Sequence, residues 1–129
     1  MADVNRGNRP LSPHLTIYRP QITSVLSILH RLTGIAMAFV AMLVVWWFLA
    51  AATGPDYFAT VDWILTSWIG HLVLIAAIWA LWFHFANGIR HLLWDLGYGY
   101  ELLTVTRTGQ AVVAASAILT LVTLAVAFW

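Results

Sequence analysis

The sequence predicts an all-α integral membrane protein that crosses the bilayer three times. Of its 129 residues, 62% are hydrophobic and only 9% are charged, whereas a soluble domain carries about 25% charged residues. Three stretches lack Asp, Glu, Lys and Arg: residues 32–55, 63–89 and 108–129. At ~1.5 Å per residue, each is long enough as a helix to cross a hydrocarbon core of ~30 Å. Helices are expected because lipid offers backbone groups no hydrogen-bond partner.

We place the three helices at about 22–52, 63–91 and 107–128, within a single membrane domain of residues 21–129. Residues 1–20 are predicted to form an extended cytoplasmic segment, because Pro10, Pro13 and Pro20 disfavour helix in the residues that precede them. The polar start is unlike a secretory signal and contains an acid, unlike a mitochondrial transit peptide. A bacterial inner membrane is therefore favoured over a mitochondrial inner membrane.

The distribution of basic residues predicts the orientation. The loop between the first and second apolar stretches carries Asp56 and Asp62 and no basic residue. By the positive-inside rule, the N-terminus lies inside and the C-terminus outside. Aromatic side chains are expected at both interfaces, with Trp46, Trp47, Tyr57 and Trp63 outside and Trp94, Tyr98 and Tyr100 inside. All six basic residues agree with this orientation: Arg6, Arg9, Arg19, Arg31, Arg90 and Arg107.

Histidine is the chemistry-bearing residue of the apolar stretches. The chain has no cysteine, so it cannot hold an iron–sulfur cluster through thiolates or attach a c-type haem. His84 lies about 9 Å of helix inside Arg90, where a polar side chain is costly and marks a functional site. It is interpreted either as a haem ligand or as an interhelical hydrogen-bonding group. A second histidine ligand would come from His30 or from another subunit.

A second polar cluster lies at the start of the first helix. Ser27 and Arg31 are four residues apart and share a helix face. A hydroxyl and a guanidinium at the edge of the lipid can bind the polar head of a quinone or a haem propionate. The alternative is that Arg31 reaches lipid phosphate as a topology anchor. Asp95 and Glu101 are interpreted either as a proton path or as solvated loop carboxylates.

Two motifs resemble a known family. Residues 27–34 read S-x-x-H-R-x-T-G, and residues 84–97 read H-x-x-x-G-I-R-H-x-x-W-D-x-G. Both resemble the cytochrome b membrane-anchor subunit (the C subunit) of succinate dehydrogenase, respiratory complex II. The resemblance implies that the chain is half of a two-subunit helical bundle, completed by a second anchor (the D subunit). It also implies that an iron–sulfur subunit and a flavoprotein subunit dock on the inner face and deliver electrons from succinate to ubiquinone.

The resemblance also implies roles for single residues. His84 corresponds to an axial ligand of haem b, whose second ligand comes from the partner anchor. Ser27 and Arg31 correspond to residues of the ubiquinone site, and His30 and Arg31 to residues near the haem propionates. His91 is placed with them because it shares a helix face with His84.

Other functions stay open from the sequence alone. They are an anchor of a quinol:fumarate reductase, a haem-free structural anchor, and a stand-alone cytochrome that uses His30 and His84. We expect no catalysis by the chain alone and no nucleic-acid partner.

Overall fold

The computed structural model describes residues 18–129, so most of the extended segment predicted for 1–20 lies outside the described residues. This part of the chain forms helices and no strand, which confirms the all-α prediction. The first, third and fourth helices are long and apolar enough to cross a membrane. The helices are α1 (Ile22–Thr53), α2 (Pro55–Leu65), α3 (Trp68–Asp95) and α4 (Leu102–Phe128).

The structure differs from the sequence prediction between the first two spans. A loop was expected over 54–62, followed by a helix over 63–91. Instead, the separate helix α2 occupies this region and α3 begins at Trp68. Gly54 ends α1 with a φ of 156°, which L side chains rarely adopt, and Pro55 begins α2. No charged residue marks the break between α2 and α3, so a search for charge-free stretches missed it.

The turn between α2 and α3 is built from small and hydroxyl residues. The Thr66 hydroxyl donates to the Asp62 carbonyl (2.7 Å) at the end of α2. The Ser67 hydroxyl accepts from the Gly70 N–H (3.1 Å) and caps the start of α3. A methyl group at Gly70 would overlap the Leu65 carbonyl oxygen. Glycine is therefore required where α3 passes the end of α2.

Helix α3 is the central element of the bundle, and α1 and α4 pack against it. The three long helices meet in a buried cluster of Leu26, Phe83 and Val112, one residue from each helix. This cluster lies toward the end of the bundle that carries Arg31, Arg90 and Arg107, which we call the arginine end. It holds α1 and α4 together beside α3, next to the candidate site.

The opposite end of the bundle carries Asp56 and Asp62, and we call it the aspartate end. Here α2 is attached to α1 by two indole hydrogen bonds. Trp46 Nε1 donates to the Tyr57 hydroxyl (2.8 Å), and Trp47 Nε1 donates to Asp62 Oδ1 (3.1 Å). Of the aromatic residues predicted at this end, Trp46, Trp47 and Tyr57 make these contacts, whereas Trp63 is largely exposed. The contacts hold a helix that the sequence did not reveal.

The outer surface of the bundle is apolar. Large side chains of α1 are more than half exposed along the whole helix, which reverses the pattern of a water-soluble protein. Such a surface matches lipid or a neighbouring apolar subunit. Its α1 members include Ile28, Leu32, Ile35, Phe39, Met42 and Val45.

We predict that Gly70→Ala destabilises the protein by roughly 1–3 kcal/mol, because the added methyl group overlaps the Leu65 backbone and forces the turn open. Gly88→Ala is the matched control, since a Cβ at Gly88 meets no atom within 4 Å. Thermal unfolding of the detergent-solubilised protein measures both. Equal stability of the two variants would contradict the assignment of the turn.

Candidate functional site

The site is centred on His84, which projects from α3 against the backbone of α1. Its Nδ1 lies 3.0 Å from the His30 carbonyl oxygen and 3.3 Å from the Thr33 hydroxyl. A carbonyl oxygen only accepts hydrogen bonds, so Nδ1 carries the proton. Every hydrogen bond that His84 makes within residues 18–129 runs through Nδ1. Its Nε2 therefore keeps a lone pair available to a metal, as in histidine ligands oriented by a carbonyl.

Gly34 allows this close approach of the two helices. A Cβ built at Gly34 would lie 2.9 Å from His84 Cε1 and 3.8 Å from Nε2. The imidazole consequently fills the space that any larger residue would take. The spacing of His30 and Gly34 in the first motif has a physical meaning here: His30 supplies the carbonyl, and the glycine one turn later supplies the room.

Three histidines form a cluster at this contact. The His30 ring stacks on the His84 ring with centroids 4.0 Å apart and planes 15° apart. The His91 ring lies 4.8 Å from His30 at 55°. The Nδ1 atoms of His30 and His91 are buried and have no hydrogen-bond partner within the described chain. Buried polar atoms without partners are costly, so these two nitrogens fit an added polar group.

The ring geometry disfavours one of the alternatives. Two axial ligands of one iron point their nitrogens at each other across the metal. His30 and His84 instead lie face to face and nearly parallel. A stand-alone cytochrome that uses His30 and His84 is therefore disfavoured.

The other predicted site residues lie on α1 and at the end of α3. Arg31 lies one helical turn after Ser27 on α1, and His30 lies between them in the sequence. Ser27 is half-buried and Arg31 is exposed. Asp95 is the last residue of α3 and is exposed, so the structure places it at the surface and outside the histidine cluster.

Arg90 was expected from the sequence as part of the second motif and as an inner-side charge, but its burial was not predicted. The structure buries it between α3 and α4, with 5% of its surface exposed. Its guanidinium makes three hydrogen bonds. They run from Nε to the Thr108 hydroxyl (3.1 Å), from Nη1 to Asn87 Oδ1 (3.3 Å) and from Nη2 to the Val105 carbonyl (2.9 Å).

Trp94 connects Arg90 to the histidine cluster. The Arg90 guanidinium carbon lies 4.1 Å from the centroid of the Trp94 ring, a cation–π contact. The His91 ring stacks on the same indole at 5.1 Å and 25°. The indole Nε1 donates to the Gly99 carbonyl (3.3 Å), and the Tyr100 hydroxyl donates to the Trp94 carbonyl. The aromatic cluster predicted here is thus formed by Trp94 and Tyr100.

Comparison with known proteins identifies a family. The sequence model described as "Succinate dehydrogenase/Fumarate reductase transmembrane subunit" matches residues 5–123. This range includes all four helices except the last turn of α4. It also includes both motifs and every residue of the site.

Individual relatives match over almost the whole chain. The succinate dehydrogenase cytochrome b556 subunit of Paracoccus denitrificans is 48% identical over 128 residues, which cover 99% of this chain and 98% of the relative. The subunit of the same name from Rickettsia typhi is 46% identical over 89% of this chain and 90% of its own length. The cytochrome b560 subunit of Marchantia polymorpha is 40% identical over 95% and 93%.

We predict that His84 carries its proton on Nδ1 in the chain without cofactor, because the His30 carbonyl accepts from that nitrogen. Nitrogen-15 NMR of histidine-labelled protein distinguishes the two tautomers, and His84→Gln identifies the signal. Gly34→Val should displace the ring and shift this signal, whereas Gly88→Val should leave it in place. A proton on Nε2 in the unsubstituted chain would contradict the geometry.

Proposed function

Because the chain belongs to the family of transmembrane subunits of succinate dehydrogenase and fumarate reductase, we propose that it is the haem b-binding anchor of a succinate dehydrogenase and that it helps to form the ubiquinone site. The observation that carries the proposal is the orientation of His84. Its Nδ1 is held by a backbone carbonyl, and its Nε2 keeps a free lone pair. As part of an oxidoreductase complex, the chain has no catalytic role alone.

The residues present fit a haem. His84 would be the axial ligand on this side, and the second ligand would come from the partner anchor, since the stacked His30 is poorly oriented for it. The unpartnered Nδ1 atoms of His30 and His91, together with Arg31, would hold the propionate carboxylates. When bound, the haem supplies an iron that takes up and releases one electron. These buried nitrogens also argue against a purely structural, haem-free anchor.

Ser27 and Arg31 would bind the head group of ubiquinone. Both lie at the start of α1, and the exposed Arg31 can be reached from the surrounding lipid. The guanidinium and the hydroxyl donate hydrogen bonds to the quinone oxygens, and the fixed positive charge favours added negative charge on the ring. Reduction of a quinone to a quinol also takes two protons. Asp95, exposed on the same side, would pass protons from the cytoplasm.

The charge at the ends of the bundle and its apolar surface indicate where the remaining subunits would dock. Under the positive-inside rule the arginine end faces the cytoplasm, so the iron–sulfur subunit would dock there and bring the flavoprotein with it. The second anchor, the D subunit, would cover part of the apolar surface. The proposed location is a bacterial inner membrane.

A quinol:fumarate reductase is the second candidate, because the family description includes both enzymes. The three relatives described above are all named as succinate dehydrogenase subunits, which favours the succinate dehydrogenase. Turnover of the purified complex in both directions, with the native quinone, decides between them.

We predict that His84→Leu removes the haem absorbance from the assembled complex, because leucine offers no lone pair to the iron. The reduced-minus-oxidised spectrum measures this. His71→Leu is the control, since His71 is an exposed histidine near the aspartate end of the same helix. An unchanged spectrum in His84→Leu would exclude this residue as the ligand.

We also predict that Arg31→Leu lowers succinate:ubiquinone reductase activity roughly 10- to 100-fold, the effect of losing one charged hydrogen bond of about 1.5–3 kcal/mol. Succinate oxidation by an artificial dye should persist, because the flavoprotein does not depend on Arg31. Arg107→Leu, an exposed arginine of α4, should affect neither activity. Equal losses with quinone and dye would indicate a role in assembly instead.

A further inference from the structure

The buried cation between α3 and α4 has no role in the binding of haem or quinone described above. We propose that Arg90 is a positioning and electrostatic residue that raises the reduction potential of the haem held by His84. The inference rests on the proposed haem site and adds a residue that touches neither the haem ligand nor the quinone residues.

The charge of Arg90 is solvated by dipoles and is not neutralised by them. Its three acceptors are a hydroxyl, an amide oxygen and a backbone carbonyl, all uncharged. A buried cation usually pairs with a carboxylate, since unpaired charge in a low-dielectric interior is costly. A guanidinium keeps its proton even there. Arg90 therefore maintains a full positive charge inside the bundle.

A series of ring contacts connects Arg90 to the histidine cluster. The guanidinium lies over the Trp94 ring, and Trp94 stacks on His91. His91 contacts His30, which stacks on His84. These rings form a continuous path of packed atoms from the cation to the ligand. A charge that acts through packed side chains is screened less than one that acts through water.

The sign of the effect follows from the charge. Reduction of a ferric haem adds one electron, and a nearby fixed cation favours the more negative, ferrous form. Arg90 lies six residues from His84, about 9 Å along α3, and on the side of the helix that faces α4. For a unit charge ~15 Å from a redox centre, with an effective dielectric constant of ~20, the ratio of the reduced to the oxidised form at a fixed potential changes on the order of fivefold.

The test is a redox titration of haem absorbance in the assembled complex. Arg90→Gln removes the charge, and Arg90→Lys keeps it while losing the planar fork. Asn87→Asp is the sharper variant, because it places an isosteric carboxylate on the oxygen that already accepts from Nη1. It neutralises the charge and keeps the hydrogen bonds of Arg90 to Thr108 and Val105 on α4. Thr108→Val is the matched control, since it removes a hydrogen bond of Arg90 and leaves the charge.

We expect Arg90→Gln and Asn87→Asp to lower the ferrous-to-ferric ratio about fivefold at a fixed potential, and Arg90→Lys and Thr108→Val to leave it within twofold of the unsubstituted complex. Thermal unfolding should separate these two variants in the other direction. Thr108→Val should be less stable than the unsubstituted complex, and Asn87→Asp should be as stable as it. If Arg90→Gln does not assemble, Asn87→Asp decides alone. An unchanged potential in Asn87→Asp overturns this inference and leaves the haem site standing. An unsubstituted complex without any haem band overturns both this inference and the proposed haem site.

Discussion

The site depends on one contact, where the imidazole of His84 meets the backbone of α1. The His30 carbonyl fixes the proton on Nδ1, and Gly34 leaves room for the ring. Between membrane helices there is little hydrophobic driving force, since lipid is as apolar as the helices themselves. The helices are therefore held together mainly by close packing of their backbones and by hydrogen bonds between them. At this contact the same hydrogen bond joins α1 to α3 and orients the group that would bind iron.

Helix α3 joins two contacts of different chemistry. On the side of α1 it presents histidines with unpartnered nitrogens, which suits an added cofactor. On the side of α4 it presents Arg90, whose hydrogen bonds to Thr108 and Val105 hold α4 in register. The Trp82 indole makes a further bond from α3 to the Thr123 hydroxyl, nearer the aspartate end (2.9 Å). Buried polar atoms without a partner in the described chain are therefore not confined to one side of α3. They are Nδ1 of His30 and of His91 in the histidine cluster, and Nδ2 of Asn87 beside Arg90.

Charge and hydropathy were sufficient to predict the three long helices, because lipid imposes a length and an absence of charge that are visible in the sequence. They could not reveal α2, whose boundaries depend on Gly54, on the Ser67 cap and on the clearance at Gly70. Helix periodicity predicted the shared face of His84 and His91, and only the packing of α1 against α3 shows that His30 joins them. The burial of Arg90 was not, since an arginine near the end of an apolar stretch normally reaches the interface. Only the position of α4 decides that Arg90 bonds to Thr108 and Val105, beside Asn87 of its own helix.

We expect this chain to be half of a membrane domain and to hold a haem only together with its partner. The most direct measurement is purification of the complex in mild detergent, with identification of the co-purifying chains and a reduced-minus-oxidised spectrum of the same sample. The expected result is a second apolar anchor, an iron–sulfur protein and a flavoprotein, together with one haem per complex. Haem bound at full stoichiometry to the chain expressed alone would contradict it, as would a complete complex without a haem band.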